Sequence, residues 1–162
     1  MQFVTIALAA LASGLVSAAP AGDASVMPKR SCTTVPPTSP AIPFDFNLAE
    51  NPAIARTETL TFTIPSNAVG PCSLVVQFPA NYPIQVSGGS QQANVFAVDG
   101  PAPGSLVGTY NFAQSASAQF ATINSFACRP SMSYLVELAA TQGGSVDFSE
   151  TSTAGLFMTF NC

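Results

Sequence analysis

Four carboxylates stand where paired acids could do glycosidic chemistry: Asp99, Glu137, Asp147 and Glu150. Two such groups flanking a bond can serve as general acid and as base or nucleophile. The chain has no histidine, which closes imidazole-assisted attack by Ser or Cys and removes the commonest nitrogen ligand of zinc. The setting of each carboxylate argues for a plainer role. Asp99 adjoins Gly100, a turn context in which Asp bonds its local backbone. Glu137 alternates with Val136 and Leu138, and Asp147 with Val146 and Phe148, so both fall on the polar phase of a strand. All four are expected to be solvated surface charges, since charged side chains are rarely buried unpaired. No catalytic residue is assigned, and no cofactor or metal is expected.

The four cysteines are Cys32, Cys72, Cys128 and Cys162. None is spaced as CxxC, and without histidine a zinc site is the weaker reading. An even count behind an export signal implies two disulfides instead. Three pairings are possible, and spacing alone does not choose among them. The pairing taken forward is Cys32–Cys162, tying the chain's ends, with Cys72–Cys128 inside.

Sugar-binding surfaces often use exposed aromatics as stacking platforms. The chain has no tryptophan and three tyrosines. Tyr82, just before Pro83, is the best exposed candidate for a binding residue. Tyr134 shares its phase with Met132, Val136 and Leu138 and is expected in the core.

These residues ride on a chain dominated by period-two alternation. Ile42, Phe44, Phe46 and Leu48 alternate with polar or turn residues, as do Leu60, Phe62 and Ile64. Further strands are expected over 73–78, 84–86, 93–98, 106–112, 119–126, 132–138, 146–148 and 156–160. Gly and Pro clusters punctuate them, and Gln142-Gly143-Gly144-Ser145 reads as a hairpin loop. The best helical candidate is the short stretch 51–56. About nine or ten short strands separated by frequent turns predict an all-β antiparallel sandwich.

Residues 4–16 form an uncharged apolar run, too short for the roughly 20 residues that span a bilayer. Val16-Ser17-Ala18 then supplies the small residues of a signal-peptidase site, placing cleavage after Ala18. The segment 19–30 is polar, aperiodic and ends at Lys29-Arg30, which resembles a kexin-type processing site. It reads as a pro-segment. Residues 31–41 are rich in Ser, Thr and Pro, an extended lead-in suited to O-linked sugar. Residues 42–162 form the sandwich domain. Beyond Arg30 the basic residues are Arg56 and Arg129, and the whole chain carries a net charge of −4. Nucleic-acid binding needs clustered cations and is excluded as a class, as is attraction to anionic membrane after signal cleavage.

Several stretches carry a family resemblance. Gly70-Pro71-Cys72-Ser73-Leu74-Val75-Val76-Gln77-Phe78-Pro79, then Tyr82-Pro83 and Val95-Phe96, are similar to the fungal But-two (ubiquitin-three-binding protein) C-terminal domain family. Ser125-Phe126-Ala127-Cys128, the strand 134–138 and the ending Gly155-Leu156-Phe157-Met158-Thr159-Phe160-Asn161-Cys162 extend the likeness over roughly residues 42 to 162. The resemblance implies a secreted or cell-wall-associated fungal β-sandwich. The family's name comes from binding the activating enzyme of a ubiquitin-like modifier, and no residue here can be matched to that role. The secreted fungal major-allergen β-barrels share a similar leader but not the cysteine spacing.

The expected function is therefore that of a secreted fungal protein, extracellular or wall-associated, acting without catalysis on wall polymer or a host protein. A hydrolase using two of the carboxylates and a host-directed effector are the alternatives. Oligomeric state is left open.

Overall fold

The computed structural model describes residues 31–51, 54–89, 91–139 and 143–162. The proposed leader, with Ala18, and the dibasic pair Lys29-Arg30 lie outside the described residues.

Every regular element among the described residues is a strand, and every pairing is antiparallel. The twelve strands are β1 (Thr33–Val35), β2 (Phe44–Asn51), β3 (Ile54–Arg56), β4 (Glu58–Thr63), β5 (Pro71–Phe78), β6 (Gln85–Gly88), β7 (Gln92–Ala97), β8 (Leu106–Asn111), β9 (Gln119–Ala127), β10 (Ser131–Leu138), β11 (Gly144–Glu150) and β12 (Gly155–Phe160). They form three four-stranded sheets, ordered β1-β12-β5-β9, β4-β10-β7-β8 and β3-β2-β11-β6. The all-β, sandwich-like architecture with two disulfides agrees with the alternation in the sequence.

Two strands exceed the expected ten, and both come from stretches read otherwise. Thr33–Val35, in the Ser/Thr/Pro-rich lead-in, pairs with β12 and so belongs to the first sheet. The helical candidate is corrected to strand: Ile54–Arg56 folds back onto the end of β2, with Ala49 opposite Arg56. A stretch that short gains little from helical hydrogen bonds, whereas an open sheet edge satisfies its backbone at once. The Gly143-Gly144 region also differs from expectation. It does not close a hairpin, because β10 pairs with β4 and β7 while β11 pairs with β2 and β6.

The alternating side chains of all three sheets meet in one core. Phe46, Phe78, Phe112 and Phe148 sit at its centre, Phe46 stacked on Phe148 with ring centroids 4.6 Å apart and Phe78 edge-on to Phe148 at 5.0 Å. Each buried side chain of this size contributes up to about 3 kcal/mol by leaving water. Both disulfides staple the first sheet. Cys32–Cys162 closes the β1–β12 end and Cys72–Cys128 joins β5 to the end of β9, the pairing expected from the sequence. Strands β8 and β9 are the last strands of two different sheets. They meet along a seam that the Asn124 side chain bridges, its Nδ2 donating to the Val107 carbonyl at 2.6 Å.

Candidate functional site

The four carboxylates singled out by sequence are dispersed. Glu137 lies on the outer face of β10, beside Phe96 and Leu135. Asp99, in the β7–β8 turn, accepts from Arg129 Nη2 at 2.6 Å, an ion pair whose two side chains are each about one-third exposed. Asp147 faces outward from β11 and accepts from Asn47 Nδ2 at 2.9 Å. Glu150 lies three residues further along the same strand, on the opposite face.

Glu150 corrects the expectation of a solvated charge, for it is fully buried. The reason is phase: Val146, Phe148 and Glu150 all point inward from β11. Its Oε1 accepts the Leu156 N–H at 2.7 Å, while Oε2 has no hydrogen-bond partner. Burial pushes the carboxyl up to about 9, against the opposing pull of the Leu156 N–H. The group is therefore a neutral acid through the neutral pH range. Gly155 makes room for it. A side chain there would run into the Glu150 carboxyl, and the glycine's φ of +131° is one that residues with a side chain rarely adopt.

A second set of polar groups, which sequence reasoning did not assemble, occupies the outer face of the third sheet. Ser87 and Ser145 hydroxyls lie 2.7 Å apart, Asn47 bonds Asp147, and the Ser149 hydroxyl donates to Asp45 at 3.2 Å. Arg56 Nη1 donates to Asn47 Oδ1 at 3.4 Å, and the Asn47 N–H reaches Glu58 Oε1 at 3.4 Å. Burial raises the Glu58 carboxyl above its ordinary value, with the Asn47 N–H pulling it the other way. Strand alternation turns the residues on β2, β6 and β11 outward, whereas Glu58 belongs to β4 of the second sheet, on the phase of Leu60 and Phe62. Which ones become neighbours depends on the β2–β11 register, with Asn47 opposite Asp147.

The tyrosines take three different positions. Tyr82 is half-buried: its ring lies 5.5 Å from Phe78 and its hydroxyl donates to the Ser149 carbonyl at 2.6 Å. That geometry ties the 79–84 turn to β11 rather than offering an open stacking face. The Tyr110 hydroxyl donates to Gln119 Oε1 at 2.7 Å. Tyr134, in the core as expected, has a buried hydroxyl with no hydrogen-bond partner.

Tyr134 borders a cavity of about 290 Å³ at the β8–β9 seam. Ala97 of β7, Val107 of β8, Phe126 of β9 and the Pro101-Ala102 turn make its walls apolar. The Asp99–Arg129 pair lines it too. Gly100, at φ +93°, lets the Arg129 guanidinium lie against the turn, for a side chain at this position would meet that guanidinium. The β7–β8 ladder shifts register between Val95 and Phe96, just before the cavity wall. Such irregularities re-aim side chains next to binding sites. Burial raises the Tyr134 hydroxyl far above its ordinary value, with Arg129 lowering it and Asp99 raising it to smaller extents. It is a phenol, and a donor, at every pH the fold would meet.

No protein-family model matches the chain, and no curated protein is significantly similar to it.

Proposed function

We propose that this chain is a secreted, wall-associated fungal domain that acts by binding, and that the outer face of the third sheet is its polymer-binding surface. Membership of the But-two C-terminal domain family is proposed with it, on the sequence motifs alone. The observation that carries the binding reading is the row from Ser87 and Ser145 through Asp147 and Asn47 to Arg56. Its hydroxyls, amide, carboxylate and guanidinium lie on one sheet, a mixture of donors and acceptors suited to a polyhydroxylated chain. The two disulfides support passage through an oxidising compartment. No helix of the described residues is long and apolar enough to cross a membrane.

Co-sedimentation with insoluble β-glucan and chitin tests the binding role. The chain should pellet with one of them and release no reducing sugar. The double substitution Asn47→Ala with Asp147→Ala should cut the bound fraction several-fold. Sugar release that disappears in Asp147→Asn would establish the hydrolase instead, and a chain that stays in the supernatant with both polymers would end the wall-binding reading. N-terminal sequencing of the exported form should read from Ser31. An intact Met1 in the medium would overturn the processing scheme.

A further inference from the structure

We propose that the cavity at the β8–β9 seam is a binding site for a small uncharged amphiphile, an apolar body of about ten carbons carrying one carbonyl or ether oxygen. The proposal is independent of polymer binding, which uses the opposite phase of a different sheet.

Three features point to that chemistry. The first is the orphan donor. Tyr134 is 2 % exposed, and its hydroxyl has no protein acceptor. Of the three tyrosines it is the one left unsatisfied, and it is the one that lines a cavity. A buried donor without a partner is costly, so a ligand oxygen placed there recovers a hydrogen bond the protein does not make itself. The second feature is the apolar lining, from Ala97, Val107, Phe126 and the Pro101-Ala102 turn. Its volume lies at the lower end of small-molecule sites, which limits the ligand to one ring or a short chain. The third is charge. Arg129 is already paired with Asp99 at 2.6 Å. An anionic ligand would have to displace Asp99 and leave it unpaired, and a cationic one would displace Arg129. An uncharged ligand disturbs neither partner.

Three probes with ten carbons each separate these terms: butyrophenone, which carries the acceptor; n-butylbenzene, which lacks it; and 4-phenylbutyrate, which is charged. Each is titrated into the full secreted chain and followed by amide NMR shifts. Butyrophenone should shift Ala97, Val107 and Ala127 saturably, with a dissociation constant on the order of tens to hundreds of micromolar. Ser87 and Ser145, on the polymer face, should not move. n-Butylbenzene should bind the same site about tenfold more weakly, as should 4-phenylbutyrate. Tyr134→Phe keeps the ring and removes the donor, so it should bring butyrophenone down to the level of butylbenzene and leave butylbenzene unchanged. Ala102→Trp, at the exposed rim, should block both and provides a second route if Tyr134→Phe perturbs the fold. The proposal is overturned if butyrophenone gives no saturable shift at the seam. It also fails if the ketone keeps its advantage over the hydrocarbon in Tyr134→Phe, or if 4-phenylbutyrate binds tightest. None of these outcomes depends on whether the chain pellets with glucan or chitin.

Discussion

The β11–β12 turn and the β8–β9 seam each bury an oxygen with no hydrogen-bond partner, Glu150 Oε2 in one and Tyr134 Oη in the other. Their surroundings differ. At the turn, Glu150 is packed against Gly155, and its other oxygen is held by the Leu156 N–H. At the seam, Tyr134 borders open apolar volume beside an ion pair. An unmade hydrogen bond costs about 1–3 kcal/mol in either place. At the turn the acid stays protonated, which avoids burying a charge, so the consequence there is a pH-dependent fold. The seam leaves room for an outside acceptor, so its consequence is binding. An orphan polar atom in a tightly packed site is thus a statement about stability, and the same atom beside a cavity is a statement about a ligand.

The largest effect that would sharpen this contrast is the pH dependence of folding. The unfolded chain loses the Glu150 proton near 4.5 and the folded chain only near 9. Between those values the folded state holds more protons, so its stability is complete below the lower value and falls as pH rises toward the upper one. The slope approaches about 1.4 kcal/mol per pH unit, amounting to several kcal/mol across the interval. Urea titrations at a series of pH values measure it. Glu150→Gln keeps the acceptor for Leu156 and cannot ionise, so the slope should flatten and the variant should be the more stable protein at pH 8. An unchanged slope in Glu150→Gln would remove the carboxyl as its source. Gly155→Ala should follow in size. It forces a side chain into the Glu150 carboxyl at a φ of +131°, and a loss of about 3 kcal/mol is expected in the same assay. If Gly155→Ala were neutral, the turn would not be tightly packed and the contrast with the seam would weaken.

How much of this was legible beforehand follows from which interactions are local. Alternation along one strand marked ten of the strands, and it placed Tyr134 in the core with Met132, Val136 and Leu138. Glu150 shares the inward phase of Val146 and Phe148, but the expected strand ended at Phe148. The general rarity of buried charge then set Glu150 at the surface, a rule that fails when the acid can stay neutral. The partner that keeps it in place, the Leu156 N–H, comes from the way the turn folds back, which no periodicity encodes. The seam was less legible still. Ala97, Val107, Phe126, Arg129 and Tyr134 come from two sheets and their connections, and only the tertiary fold brings them around one cavity. The polymer face falls between these cases. Asn47 and Asp147 could be assigned outward by phase, whereas Ser87 and Ser145 lay outside the expected strands and Arg56 in the helical candidate. The pairing of Asn47 with Asp147 rests on register between strands 100 residues apart. The 51–56 stretch was misread because its local pattern is too short to distinguish a helical turn from an edge strand.

The smallest effect separates the tyrosines from one another. Tyr110→Phe removes the hydroxyl that donates to Gln119 Oε1, leaving that acceptor short of one partner, and should cost about 1 kcal/mol of stability. Tyr134→Phe removes a hydroxyl that bonds to nothing in the protein, and should be neutral or stabilising by up to about 1 kcal/mol. Both substitutions delete the same atom from the same residue type, so the difference between them reports the hydrogen-bonding environment rather than the lost oxygen itself. Thermal unfolding of the two variants beside the parent chain provides the measurement, without any ligand. If Tyr134→Phe is destabilised as much as Tyr110→Phe, the Tyr134 hydroxyl already has a bonding partner in solution, such as water held in the cavity. A ligand would then have to displace that water, and the advantage expected for butyrophenone over butylbenzene should shrink accordingly.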